Sequence, residues 1–262
     1  MQNTGIAAVI CAAGSSKRMH GQKKEYLKLP SQPNKKAQTK NPLTVLGSSV
    51  SAFARCDGIF PIVIVLTPGD ESAGKSCIAA DLLAEDGRIL FVSGGKTRRA
   101  SVYNALSFLE PYKPSMVLLH DGARPWIERG LIERIIEAVK LYDAAIPALP
   151  IIETPKELSM GSSLELDPMY GSYQLDPLQR KHDPMQGIKR HLRREAIWTA
   201  QTPQGFKFPE ILRAHEKAKE REEKDGFEYT DDAEVWGEFM GQVAVISGDP
   251  ANKKITYPED LK

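Results

Sequence analysis

Cysteine is scarce in this chain. Cys11, Cys56 and Cys77 stand apart, with no CxxC spacing and no nearby histidine, which excludes a disulfide framework and a zinc site. Three reduced thiols fit a cytosolic protein, and the cytoplasm is the expected location. Long apolar runs are also missing: stretches such as Ile6–Ala13 fall far short of the ~20 residues of a membrane span. The opening Met-Gln-Asn-Thr-Gly has no basic region and runs straight into a strand-like segment, so it does not read as a signal peptide. There is no surplus of either charge. Thirty-five Lys and Arg against 34 Asp and Glu leave a net charge of +1, which gives no support for a general nucleic-acid binder or a polybasic membrane protein. The sequence has no GxxxxGK[ST] loop. It also lacks GxGxxG, which speaks against an NAD-dependent oxidoreductase. No Ser-His-Asp or Cys-His constellation, internal repeat or low-complexity tract is found.

What remains is the composition of an ordinary globule, 41% hydrophobic and 26% charged over 262 residues, of one or two domains. Short β-branched runs alternate with segments of helical period. Ile6–Cys11, Ile62–Leu66, Ile89–Val92, Met116–His120 and Val243–Ile246 read as buried strands, each a nearly continuous apolar run. Glu128–Leu141 reads as a helix with Leu131, Ile132, Ile135, Ile136 and Val139 on one face. Pro209–Lys224 reads as a second, with Pro209 in its first turn. A third short helix follows Thr230 as N-cap, with Asp231 and Asp232 favoured by the helix dipole. This alternation predicts an α/β fold, a mostly parallel sheet with helices on both faces. Its ligand site belongs at the carboxyl ends of the strands. Pro30–Pro42 reads as an exposed loop, and Met160–His191 as a long excursion without period.

Three strand ends carry residues capable of chemistry. The first strand leads into Ala12-Ala13-Gly14-Ser15-Ser16-Lys17-Arg18-Met19, where small residues let backbone N–H groups approach phosphates and Lys17, Arg18, Lys23 and Lys24 add cations. The same composition also serves a sharp turn with solvated lysines. The third predicted strand leads into Ser93-Gly94-Gly95-Lys96-Thr97-Arg98-Arg99-Ala100-Ser101, whose glycines permit either close ligand approach or a left-handed turn. The fourth ends in His120-Asp121-Gly122-Ala123-Arg124-Pro125, a carboxylate and guanidinium suited to a ligand or to a local salt bridge; His120 is expected to pack. Thr154, Arg194, Thr202, Thr230 and Lys254 lie in further polar strings, none with a mechanism by spacing alone.

Taken in order, AAGSSKRM with KKEYL, GGKTRRASV, HDGARP, ETPK, AQTPQ, TDDA and NKKITYPEDL resemble the 2-C-methyl-D-erythritol 4-phosphate cytidylyltransferases. The corresponding strings of that family are AAGxGxRM with PKQYL, GGxxRxxSV, HDAARP, DTxK, AxTPQ, TDDA and NxKxTxPEDL. The resemblance implies a Rossmann-like nucleotidyltransferase fold. It also implies transfer of a cytidylyl group from CTP to a polyol phosphate with Mg²⁺ held mainly by the CTP phosphates. By motif, Arg18, Lys24, Arg194 and Lys254 take the catalytic roles. Ala12, Ala13, Gly14, Ser15, Gly95, Lys96 and Ser101 surround the nucleotide, and Asp121, Arg124, Thr154, Thr202 and Thr230 the second substrate. Residues 1–262 then form a single domain from which 153–196 protrudes as an arm exchanged in a homodimer. Thr154 and Arg194 are thereby expected to serve the partner's site.

Several residues depart from those strings. Ser16 stands for a glycine, Lys23 for a proline, Gly122 for an alanine and Glu153 for an aspartate, while Lys96 occupies a position often acidic or small. The rival readings are a cytidylyltransferase for another polyol phosphate, such as ribitol 5-phosphate, and a non-catalytic nucleotide-binding homologue. Charge is unevenly spread. Residues 17–40 hold eight Lys and Arg against one Glu, which suits one small, highly charged ligand.

Overall fold

A computed structural model describes residues 5–19, 21–30, 43–84, 87–163 and 186–261. The loop expected at Pro30–Pro42 lies, past Pro30 itself, outside the described residues. The chain divides into two units, one of residues 1–148 with 200–262 and one of Leu149–Thr199. In the larger unit, β1 (Ile6–Ala12), α1 (Val45–Ala54), β2 (Ile59–Leu66), α2 (Glu71–Ser76), α3 (Ala80–Ala84), β3 (Ile89–Ser93), α4 (Arg98–Leu109) and β4 (Met116–Asp121) alternate along the chain. After β4 come α5 (Arg129–Tyr142) and β5 (Ala144–Pro150). The smaller unit contains β6 (Lys156–Ser163) and β7 (Gln186–His191), followed by β8 (Trp198–Ala200) at the return to the larger unit. The chain then forms β9 (Gln204–Lys207), α6 (Glu210–Asp225), α7 (Asp232–Phe239) and β10 (Ala244–Ser247).

The central sheet has the order β10-β5-β9-β4-β1-β2-β3, with β8 against β5. β1 runs parallel to β2 and β4, β2 to β3, and β10 to β5, whereas β9 is antiparallel to both β4 and β5. From β1 the chain proceeds outward through β2 to β3, then crosses back to β4 on the other side. The switch point therefore lies between β1 and β4, where a ligand crevice opens at the carboxyl ends.

Strand alternation divides the core in two. Ala8, Ile10 and Ala12 of β1 face the cluster containing Leu46, Val50 and Phe53 of α1 and the Leu131, Ile132, Ile135 and Val139 stripe of α5. Ala7 and Val9 face α4, α6 and α7 through Val102, Leu106, Ile211 and Trp236. Each buried Leu or Ile contributes about 1.5–3 kcal/mol.

Local signals set the helix ends. Thr44 and Thr97 accept from Gly47 N and Ala100 N at 3.0 Å, capping α1 and α4. The N-cap of α7 is Asp231, which accepts from Glu234 N at 2.9 Å, rather than Thr230. Thr230 instead donates its backbone N–H and its hydroxyl to the Glu234 carboxylate, both at 2.8 Å. Pro209 is the N-cap residue of α6 and precedes its first turn.

In the smaller unit β6 and β7 form an antiparallel pair, Lys156 opposite His191 and Glu157 opposite Arg190. Lys189 and Arg190 hold Glu157 at 2.7 and 2.8 Å. The excursion read as lacking period, Met160–His191, therefore begins and ends in strand; residues 164–185 lie outside the described residues. No described helix is long and apolar enough to cross a membrane.

Candidate active site

At the switch point a cavity of about 550 Å³ opens among the β1 loop, the β3–α4 loop, the end of β4 and the segment after β10. Its cations are Arg18, Lys24, Lys96, Arg98 and Lys254; its acids are Glu25, Asp121 and Glu228. The volume is that of a small-molecule site, and the excess of cations suits an anion.

The β1 loop is a chain of close contacts. Ser16 has φ 49, a left-handed conformation that costs an L-residue about 1–2 kcal/mol and that the family string fills with glycine. Ser16 Oγ donates to Glu25 Oε2 at 3.3 Å, and Met19 N donates to Ser16 O at 2.9 Å. A short 3-10 turn, Lys24–Tyr26, follows and brings Lys24 to the cavity. Burial lowers the pKa of Lys24; Glu25 opposes this, and the neighbouring Lys254 charge reinforces it. Burial likewise raises Glu25, against Lys24 and Lys23.

Neither Gly94 nor Gly95 has positive φ, so close approach is what the β3–α4 loop requires. A Cβ on Gly94 would meet the Ala13 side chain at 2.5 Å, and one on Gly95 would meet Ala100 at 2.6 Å. Ser101 Oγ accepts from Gly95 N at 3.0 Å and donates to Thr97 O at 2.9 Å, which ties the loop to the first turn of α4.

Asp121 closes the far wall. Lys254 Nζ lies 2.9 Å and Arg124 Nε 3.4 Å from its Oδ2. Burial pushes the carboxylate up, but Lys254, Arg98 and Arg124 outweigh it and hold Asp121 well below the usual range. His120 packs, as expected: it is 1% exposed, against Phe53, and burial lowers its pKa to about 4. Its Nε2 faces the carbonyl of Arg124 at 3.3 Å, so in the neutral ring Nε2 carries the proton. Nδ1 then accepts from Thr202 Oγ1 at 3.0 Å, and Thr202 Oγ1 accepts from Asp121 N at 3.1 Å.

The later strings are rivets for this wall. Asn252 Nδ2 donates to Thr202 O at 2.7 Å, Arg124 Nη1 to Asn252 O at 2.8 Å, and Ile255 N to Ala123 O at 2.9 Å. Together they fix the segment that carries Lys254.

Of the residues singled out from the sequence, Arg18, Lys24, Lys254, Ala13, Gly14, Ser15, Gly95, Lys96, Ser101 and Asp121 line the cavity. Ala12 points into the core beneath it, fully buried. Arg124 and Thr202 are buried behind the wall, and Thr230 is exposed. Thr154 and Arg194 are exposed residues of the smaller unit, where Arg194 Nη1 donates to Ile152 O at 3.4 Å.

Sequence reasoning gave no role to Arg98, which reaches both the cavity and a buried carboxylate. Its Nη2 lies 2.6 Å from Oδ2 of Asp232, and His215 Nε2 lies 3.3 Å from Oδ1. Burial raises Asp232, but Arg98 and then His215 outweigh it and hold it at about 2. Cys11 also lines the cavity; burial pushes its thiol up to about 12. Among the described residues no group of three or more His, Cys, Asp or Glu side chains is placed to hold a metal.

Known proteins resemble the chain over nearly its full length. A protein from Chelativorans sp. (strain BNC1), named as a bifunctional IspD/IspF enzyme, is 33% identical over 265 residues, which span 99% of this chain and 54% of that protein. The chain thus spans about half the length of the bifunctional relatives it matches. A 2-C-methyl-D-erythritol 4-phosphate cytidylyltransferase of Desulforamulus reducens is 33% identical over 258 residues, covering 98% of this chain and 92% of the relative. The crystal structure of 4-diphosphocytidyl-2C-methyl-D-erythritol synthase from Anaerococcus prevotii superposes with a TM-score of 0.72 at 26% identity, over 98% of this chain and 92% of the other. The family pattern itself matches residues 6–161 and 176–262, passing over part of the β6–β7 connection. With this match over nearly all its length, the chain, whose cationic cavity opens at the β1–β4 switch point, belongs to the IspD family, 2-C-methyl-D-erythritol 4-phosphate cytidylyltransferase.

Proposed function

We propose that the chain transfers a cytidylyl group from CTP to 2-C-methyl-D-erythritol 4-phosphate, releasing pyrophosphate, within isoprenoid biosynthesis. The observation that supports this reading best is the convergence of Arg18, Lys24 and Lys254 on a single cavity that also presents Asp121. An oxygen of the polyol phosphate attacks the α-phosphorus of CTP, a P–O bond forms there, and the α–β bridging bond breaks. The attacking oxygen already carries negative charge, so no general base is required. Catalysis then rests on positioning and on neutralising charge at a crowded phosphorus.

Arg18 and Lys24 stabilise the charge that develops on the phosphates, and Lys254 with Arg194 orients the attacking phosphate. The small residues at Ala13, Gly14 and Gly95 admit the nucleotide, with Ser15, Lys96 and Ser101 beside it. Asp121, backed by Arg124 and Thr202, meets the polyol end with Thr154 and, more distantly, Thr230. Ala12 serves this reading through the backbone of the loop it begins.

The donor set fits a magnesium ion brought in on the nucleotide phosphates, with Asp121 as the carboxylate that would reach it, since this ion keeps phosphate and water ligands. When bound, it supplies further neutralisation of phosphate charge. We also infer a cytoplasmic homodimer in which the 153–196 arm is exchanged, so that Thr154 and Arg194 act on the partner's site. Mixing inactive Lys24→Ala and Arg194→Ala proteins should then restore about a quarter of wild-type activity through hybrid dimers with one intact site. Absence of any recovery would refute the exchange.

The assignment itself is tested by following pyrophosphate release with CTP, Mg²⁺ and a panel of polyol phosphates. Turnover is expected with the methylerythritol phosphate; turnover only with ribitol 5-phosphate, or with none, would overturn it.

A further inference from the structure

Lys23 does not line the cavity, yet its ammonium ties the β1 loop, which does, to the segment that follows β2. Nζ donates to Gly14 O at 2.7 Å and to Thr67 Oγ1 beyond the end of β2, and it lies 3.7 Å from Asp70 Oδ2. Two hydrogen bonds and one ion pair thus engage the ammonium. Thr67 Oγ1 in turn faces Ala13 O at 3.3 Å. Lys23 is also the residue immediately before the 3-10 turn that presents Lys24.

Two positions away from Gly14 sits Ser16. Among the described residues three non-glycine residues have positive φ. Lys113 and Asp143 occupy helix C-caps, where left-handed backbone is customary. Ser16 has no such excuse, and a strained residue in a loop persists only where its surroundings over-determine it. The family strings place glycine and proline where this chain has Ser16 and Lys23, so the strained residue and its clamp are both departures from the same pattern.

We propose that Lys23 is a positioning residue whose ammonium clamps the β1 loop in the conformation that strains Ser16, the two departures compensating each other so that the loop and Lys24 stay set for the nucleotide. The last clause rests on the cytidylyltransferase reading; the clamp does not. Lys23 has φ −65, the value a proline ring imposes, so Lys23→Pro removes the ammonium while keeping the backbone angle.

The test is a cycle of wild type, Ser16→Gly, Lys23→Pro and the double variant, read by steady-state kinetics and by amide exchange over residues 13–24. Lys23→Pro alone should raise the KM for CTP about tenfold, as a charged hydrogen bond is lost and the competent loop becomes a minor state. The KM for the polyol phosphate should stay within about twofold, and exchange at the Met19 and Gln22 amides should quicken. In the Ser16→Gly background the same change should leave the KM for CTP within about threefold of wild type, a coupling expected only of interacting residues. Additive effects, or exchange in Lys23→Pro equal to wild type, would overturn the proposal. Wild type inactive on every polyol phosphate would sink the functional reading alone, and the exchange cycle would still decide the clamp.

Discussion

Replacing Arg98 by methionine isolates the interaction that links the cavity to the core. Asp232 is 1% exposed and Arg98 Nη2 lies 2.6 Å from it; without the guanidinium, His215 at 3.3 Å is the ion-pairing partner that remains among the described residues. Breaking a fully buried pair by removing one member costs about 3–5 kcal/mol. The Arg98 side chain is 32% exposed, so water screens part of the interaction, and about 2–3 kcal/mol is the expected loss at pH 7. That corresponds to a fall in melting temperature of roughly 5–10 °C for a chain of this size.

The pH dependence has a definite sign. In the wild type Asp232 titrates at about 2, below its unfolded value, so its contribution is complete above about pH 4 and is lost as pH falls toward 2. In Arg98→Met burial dominates and the Asp232 pKa rises above the unfolded value. Acidification then stabilises the variant relative to its own state at neutral pH. The deficit should therefore be largest at pH 7 and shrink toward pH 4. Urea unfolding followed by circular dichroism at several pH values measures it. In an Asp232→Asn background, where no buried charge is left unpaired, Arg98→Met should cost under about 1 kcal/mol. A loss below about 0.5 kcal/mol in the wild-type background, or the same loss in both backgrounds, would refute the reasoning.

Lys24→Ala should lower kcat about a hundredfold or more, the effect of removing a preorganised charge donor, with little change in unfolding; rates equal to wild type would refute its catalytic role. Burial holds the Cys11 thiol near 12, so at pH 8 the native protein should label slowly there with a disulfide reagent and rapidly once unfolded. Fast native labelling of Cys11 would contradict the burial argument. Asp121 is held below the usual range by Lys254, Arg98 and Arg124 against the opposing effect of burial. Its contribution is present above about pH 4 and lost below it, so Asp121→Asn should flatten the loss of stability on acidification, as read by thermal melts between pH 5 and 2.5.

The five strands expected from continuous apolar runs are present, their ends moved by only a few residues. β1, β2 and β4 are interior and buried on both faces, whereas β3 and β10 are the edge strands, and β10, expected to be buried, leaves Val245 57% exposed. β5 and β9 carried no comparable signal. Ala144–Pro150 is built from small residues and two prolines, and prolines argue against a strand interior. Gln204–Lys207 is four residues long, and it is a strand because β4 and β5 flank it. At the site, contiguous strings were legible as blocks, but strand alternation splits a block. Ala13 reaches the cavity and its neighbour Ala12, the last residue of β1, points into the core. Arg98 stood in a quoted string without a role because Asp232, 134 residues away, is what defines it. Sequence spacing carries no trace of a pair closed only when α6 packs against both α4 and α7.

The same distinction sorts the cations themselves. From sequence alone Arg18, Lys24 and Lys254 are equivalent positive charges. In the fold Lys254 is engaged by Asp121 at 2.9 Å and Arg98 by Asp232. Among the described residues Arg18, Lys24 and Lys96 have no carboxylate within ion-pairing distance. On the proposed reading an incoming triphosphate would meet these three without breaking a described ion pair, and burial together with the Lys254 and Arg18 charges disfavours the charged form of Lys24. Binding that anion should therefore raise the lowered Lys24 pKa and be accompanied by proton uptake. Lys254 is different: a phosphate that it holds must share it with Asp121. On the proposed reading, the cation that orients the second substrate is shared with the carboxylate that faces that substrate, whereas the first substrate meets cations that have no carboxylate within ion-pairing distance among the described residues.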